Sequence, residues 1–304
     1  MTVDSRALPA ARPAMRSLGL AALGLAALVL ALLWASGSFA RLGWWALDQQ
    51  RSVQTLLARR IHDMRAGEPF AFFGLVTLCA GYGFLHAVGP GHGKVLVAGA
   101  ALGTRAGAAR MGGIALAGSL AQALVAILVV YGGFLIFQAS ARGTVAASDA
   151  WLEPLGHAAV APIGAWLLSR GLWTFRPSSG DACACGHAHG PDPEAAMAAA
   201  RLREMAALVG AMAIRPCTGA LFVLVIAWRL DLAAAGAAAV IAMGIGTAAF
   251  TVLVAWLAVG GREAALLSAG SGPFARRLAG GLQIGAGTLI LVLSGAMLGT
   301  VLAR

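Results

Sequence analysis

The stretches 70–102, 111–137, 232–259 and 279–302 hold one Lys or Arg and no Asp or Glu between them, Lys94. As helices rising about 1.5 Å per residue, each is long enough to cross the roughly 30 Å hydrocarbon core of a bilayer. In lipid a backbone must satisfy its own hydrogen bonds, so segments of this kind are helices. Composition agrees. Of 304 residues, 60% are hydrophobic and 11% charged, with a mean hydropathy of +0.82. That excludes a soluble globule. The formal charge of +10 does not point to nucleic acid, because the basic residues cluster at the ends of apolar runs, where they anchor helices at the membrane surface.

Taken in order, 1–69 reads as an N-terminal transmembrane helix followed by an interfacial segment. Residues 18–34 are apolar behind Arg6, Arg12 and Arg16. They are expected to be a retained helix. A cleaved signal peptide is the alternative, since Ser38-Phe39-Ala40 resembles a small-residue cleavage site. The stretch 44–65 mixes Trp44, Trp45, Leu47, Leu56, Leu57 and Ile61 with Arg51, Arg59, Arg60 and Asp63. It is expected to lie in the interface as an amphipathic helix, with His62 solvated. A first three-helix unit follows at 70–172, a polar loop at 173–204, and a second three-helix unit at 205–304. The expectation is an all-α polytopic membrane protein of about seven transmembrane helices. Basic residues in the predicted inner segments outnumber those outside by twelve to eight, which puts the N-terminus in the cytoplasm and the C-terminus outside.

Two of the expected spans are interrupted. Gly83-Phe84-Leu85-His86-Ala87-Val88-Gly89-Pro90-Gly91-His92-Gly93-Lys94 places two imidazoles and an amine in an apolar run, around a Gly-Pro-Gly break. Arg215-Pro216-Cys217-Thr218-Gly219 interrupts the later one. Proline removes a helix hydrogen bond, and ionisable groups in hydrocarbon cost a few kcal/mol each on insertion scales. An offset of 126 superimposes Pro90 on Pro216 and Gly118 on Gly244, and Ile163-Gly164-Ala165 recurs as Ile284-Gly285-Ala286. Units of three helices alternate in direction, so the reading is two inverted repeats with broken helices at Pro90 and Pro216. Such repeats place substrate at the breaks. Other glycines, including Gly112, Gly118, Gly244 and Gly246, are read as packing.

On an intact helix His86 and His92 point to different faces. The break at Gly89, Pro90 and Gly91 lets both turn toward one cavity. Imidazole suits Ni²⁺, Co²⁺, Zn²⁺ and Cu²⁺ rather than Mg²⁺ or Ca²⁺. Protons compete with metal for it, so an exchange of outward metal for inward protons is the expected coupling. Lys94, Arg215, Cys217 and Thr218 are candidate neighbours of the site. The bland alternatives are a snorkelling lysine and an inert, buried thiol. His157, at a span end, is expected at the interface. Cys183, Cys185, His187 and His189 alternate in the polar loop and are expected to capture metal there. Their spacing is not that of a zinc knuckle. With Cys79 and Cys217 in apolar runs, the cysteines form no disulfide framework.

At HAVGPGHGK, RPCTGA and the His-bearing loop, the sequence resembles the nickel/cobalt efflux family of the NicO/RcnA type, from about residue 70 onward. The resemblance implies an inner-membrane exporter of Ni²⁺ or Co²⁺, not an enzyme. The metal is then cargo, with no resident cofactor, and the motif histidines are His86 and His92. Related uptake permeases carry His-x4-Asp-His, and here Gly91 stands at the Asp position. The competing readings are an uptake permease, a thiol-disulfide electron relay through Cys79 and Cys217, and a membrane-anchored metal sensor working through its loop. The relay lacks a Cys-x-x-Cys pair.

Overall fold

The computed structural model describes residues 35–89, 92–104, 106–137, 148–176, 193–270 and 273–302, with single positions 32 and 143. The expected helix at 18–34, apart from Leu32, and the ligand-bearing loop at 183–189 lie outside them. Every element among the described residues is helical. We number them α1 (Ser38–Arg65), α2 (Ala71–Val88), α3 (His92–Gly103), α4 (Ala108–Phe137), α5 (Glu153–Thr174, entered through the π-helical turn Ser148–Leu152), α6 (Pro193–Ala213), α7 (Thr218–Arg229), α8 (Ala233–Ala269) and α9 (Pro273–Leu302). Among them α2, α4, α8 and α9 are each long and apolar enough to cross a membrane, and α6 with α7 adds a fifth if that bent pair is one span. This is the multi-pass all-α class expected. The long helices are apolar on their outer faces too: Leu128, Leu135, Ile136, Leu257 and Val292 are exposed, as suits surfaces that meet lipid rather than water.

Boundaries differ from the sequence reading where local chemistry is strong. Helix α6 starts at Pro193, inside the expected loop, because 193–204 is rich in alanine and other strong helix formers. Helix α5 is not among the candidate spans. It carries Glu153, His157, Pro162, Ser169 and Arg170. Helix α1 does not keep its whole apolar face for the interface. Leu57 and Ile61 are fully buried in a core shared with α2 and α7, while Trp44 and Trp45 stay exposed. His62 is exposed.

Both breaks are present. Gly89 is extended, at φ −63° and ψ 169°, as expected for a residue held off the helical region by the following proline. Helix α2 therefore stops at Val88 and α3 restarts at His92. Arg215 precedes Pro216 in the same way, so α6 stops at Ala213 and α7 leaves at 60° to it. Pro90 and Gly91 themselves lie outside the described residues.

The interior forms two apolar cores. One gathers Leu75, Cys79 and Tyr82 of α2 with Ala123 and Ala126 of α4, Leu221 and Leu224 of α7, and Val240 and Met243 of α8. The other gathers Leu96 and Val97 of α3 with Ile114 and Ala115 of α4, Leu208 and Met212 of α6, and Ala255 and Val259 of α8. Along α8 the polar residues Thr247 and Thr251 fall between the two sets. Along α4, Ser119 and Gln122 do the same. The middle of the bundle is thus left polar.

Glycine sets the closest crossing. A methyl on Gly83 would fall on the Met243 carbonyl, and one on Gly246 would fall on the Ala80 carbonyl. Helices α2 and α8 meet backbone to backbone there, as small residues allow. A methyl on Gly112, Gly118 or Gly244 would crowd Trp256, Met212 or Ala123 of a neighbouring helix, which agrees with their reading as packing residues. Helices α2 and α3 pack on α8, α6 and α7 pack on α4, α4 packs on α8, and α5 packs on α9. The packing of α2 and α3 on α8 matches that of α6 and α7 on α4, whereas the contacts of α3 with α9, of α5 with α3 and α6, and of α8 with α9 have no counterpart of similar extent in the other half.

Candidate metal site

The two helix breaks open on one cavity of about 220 Å³. Its polar lining comes from His86 of α2, Lys94 of α3, Gln122 of α4, the Arg215-Pro216-Cys217-Thr218 break, and Thr247 and Thr251 of α8. Leu96, Val160 and Met212 close it on the side of the second core. The site residues expected from the two halves of the sequence therefore meet. His86, Lys94, Arg215, Cys217 and Thr218 all border this space. The side chain of His92 lies outside the described residues, as do Cys183, Cys185, His187 and His189. Their expected roles are carried forward as proposals only.

His86 sits at the end of α2, where the helix gives out. Its Nδ1 faces Gln50 Oε1 at 3.4 Å. Its ring stacks on Tyr82, with centroids 6.1 Å apart and planes 8° from parallel. Cys217 borders the same cavity as the ring. Cys217 is a free thiol and is the residue before the first turn of α7. It is extended, at φ −71° and ψ 131°, and its carbonyl accepts the first helical bonds, from Ala220 N at 3.0 Å and Leu221 N at 3.1 Å. That geometry is the reason the thiol, four residues after Ala213, faces the cavity rather than continuing a helix surface.

The second break is held from α4. Gln122 Nε2 donates to the Arg215 carbonyl at 2.9 Å, giving a partner to a group that the missing helix leaves open. Thr247 Oγ1 donates toward Gly83 O at 3.1 Å and Met243 O at 3.0 Å, and Thr251 Oγ1 donates to Thr247 O at 2.8 Å. Thr247 thus fastens α8 to the turn of α2 just ahead of His86, while the Thr251 bond stays within α8. Lys94 borders the cavity. Its Nζ is 5.9 Å from the centre of the Phe250 ring, which itself packs edge-on against Phe84 at 5.4 Å. His157 also departs from its expected interfacial position. It is buried, and its carbonyl accepts the Ser294 hydroxyl of α9 at 2.5 Å.

Sequence reasoning missed Gln50, Gln122, Thr247 and Thr251. Gln122 had a signal, as the lone amide in an otherwise apolar run. Gln50 had none, because it lies among the charges of α1. Imidazole with sulfur is a borderline-to-soft donor pair, suited to first-row transition metals such as Co²⁺ and Ni²⁺ and unsuited to Mg²⁺ or Ca²⁺. Among the described residues no group of three or more His, Cys, Asp or Glu side chains gathers to hold a metal.

No protein-family model matches the chain, and no solved structure matches it. A curated protein of Haemophilus influenzae named "Putative nickel/cobalt efflux system" is 29% identical over 224 residues, covering 65% of this chain and 69% of that protein. The match bears out the resemblance read from the two break motifs: the chain is similar, over more than two thirds of that relative, to a protein named as a nickel/cobalt efflux system.

Proposed function

We propose that the chain is a secondary transporter of the inner membrane that exports Ni²⁺ or Co²⁺ from the cytoplasm, with the metal as cargo and no resident cofactor. The observation that carries the reading is the meeting of His86 and Cys217, from two separate helix breaks, at one polar cavity between two apolar cores. His86 and Cys217 ligate the ion. His92, one residue past the first break, supplies the second imidazole, and Thr218 supplies a weak oxygen. The named activity of the Haemophilus influenzae relative supports metal transport and efflux.

The arrangement is that of two inverted three-helix units, α2 to α5 and α6 to α9. The matched packing of α2 and α3 on α8 and of α6 and α7 on α4 supports it. With the site at the junction of the units, rocking one against the other opens it to either side in turn. Protons drive export by displacing metal from imidazole on the outer side. Lys94 and Arg215 border the same cavity, and their positive charge keeps the divalent ion from binding too tightly to leave. The loop at 183–189 collects metal on the cytoplasmic side, which the positive-inside bias assigns to it.

The test is the cellular content of Ni²⁺ and Co²⁺ under challenge, with and without the protein, with His86→Ala alongside. Lower content with the intact protein, abolished by His86→Ala, supports export. Higher content makes the protein an uptake permease. Metal content that follows neither expression nor His86 contradicts transport through this site.

A further inference from the structure

We infer that Gln50 of α1, a helix outside both repeat units, is the positioning residue of His86: its amide oxygen holds the ring proton on Nδ1 and so leaves Nε2 bare for a transition-metal cation. The inference rests on the reading of His86 as a ligand.

Gln50 is 8% exposed, a buried amide on a face whose fully buried residues, Ala46, Leu57 and Ile61, are apolar. Its neighbours assign its two ends. Nε2 donates to the Leu85 carbonyl at 3.5 Å, which leaves Oε1 facing His86 Nδ1 at 3.4 Å. An amide oxygen can only accept, so the ring nitrogen facing it is the donor. A neutral imidazole has one N–H, and Nε2 then carries the free lone pair. Metal-bound histidines commonly hand their second ring N–H to such a partner, which fixes both tautomer and ring orientation.

One turn further along α1, Gln54 Nε2 donates to the Tyr82 hydroxyl at 3.0 Å, and Tyr82 stacks on the His86 ring. Residues four apart share a helix face, so one face of α1 sets the ring's rotation through Gln50 and its plane through Gln54 and Tyr82. Gly89 permits the approach, since a methyl there would stand 3.2 Å from Gln50 Nε2. Without Gln50 the imidazole is free to change tautomer or turn away, and the site loses its first donor.

The test is Co²⁺ titration of the purified full-length protein, following the binding component that His86→Ala removes. Gln50→Met keeps length and loses the acceptor, and it weakens that component by about 10–100-fold. Gln50→Glu keeps an acceptor of the same reach and retains affinity within about threefold of the wild type. Wild-type affinity in Gln50→Met, or Gln50→Glu as weak as Gln50→Met, overturns the inference. If Gln50→Met does not fold, Gln50→Glu decides by the same criterion. Nitrogen-15 NMR of the wild-type His86 ring gives an independent reading: a proton on Nδ1 supports the inference and a proton on Nε2 overturns it. Co²⁺ binding untouched by His86→Ala removes the ligand reading itself, and the positioning role with it. Binding lost in His86→Ala but unchanged in Gln50→Met removes the positioning role alone.

Discussion

Cys217 and Cys79 separate two fates of a thiol in an apolar chain. Cys79 is wholly buried in the first core, where it acts as a small hydrophobe. Cys217 stands at a break and borders the cavity that His86 also lines. Replacing sulfur by oxygen there exchanges a soft donor for a hard one. Cys217→Ser is expected to weaken Co²⁺ binding by at least about tenfold, as outer-shell changes alone achieve 10–100-fold. Cys79→Ser should leave Co²⁺ affinity unchanged. Titration of the two variants side by side checks this. His86 and Cys217 could be picked out beforehand because each is a potential ligand beside a proline in an apolar run. Their meeting could not, since it depends on two breaks far apart in the chain turning to the same side. Gln50 was hidden for a different reason. Its role exists only once α1 packs against the end of α2, and nothing in its own neighbourhood distinguishes a buried amide from a solvated one.

At the scale of the helix, glycine and arginine carry the energetics. Gly246 leaves no room for a methyl against the Ala80 carbonyl, so Gly246→Ala must push α8 off α2. Overpacking of this kind costs about 1–3 kcal/mol. Gly260, on the same helix, faces open space, and Gly260→Ala should be neutral or stabilising by up to about 1 kcal/mol. The end of α3 is capped from α8: buried Arg262 donates through Nη1 to the carbonyls of Ala101 and Thr104. Arg262→Met strands those acceptors and should cost about 1–3 kcal/mol. Thermal unfolding of the detergent-solubilised variants measures all three changes. The breaks at Pro90 and Pro216 were readable because proline and its preceding residue act locally. The burial of His157 was not, because a histidine at a helix end looks the same whether it meets water or another helix. Here α9 covers it.

At the scale of the molecule, two apolar cores bracket a polar middle, and each half of the chain brings a broken helix to it. The loop at 183–189 lies apart from that framework in the sequence. Replacing it by a Gly/Ser segment should lower Ni²⁺ or Co²⁺ export without abolishing it, as measured by cellular metal content. A sensor working through that loop would lose all response. The most direct measurement is the optical spectrum of Co²⁺ bound to full-length protein carrying Cys183→Ser and Cys185→Ser, so that Cys217 is the remaining thiol outside the first core. A thiolate-to-cobalt charge-transfer band is predicted, absent after Cys217→Ser and lost or strongly weakened after His86→Ala. Co²⁺ that binds with an unchanged spectrum in both variants would contradict a metal held jointly by the two halves of the chain.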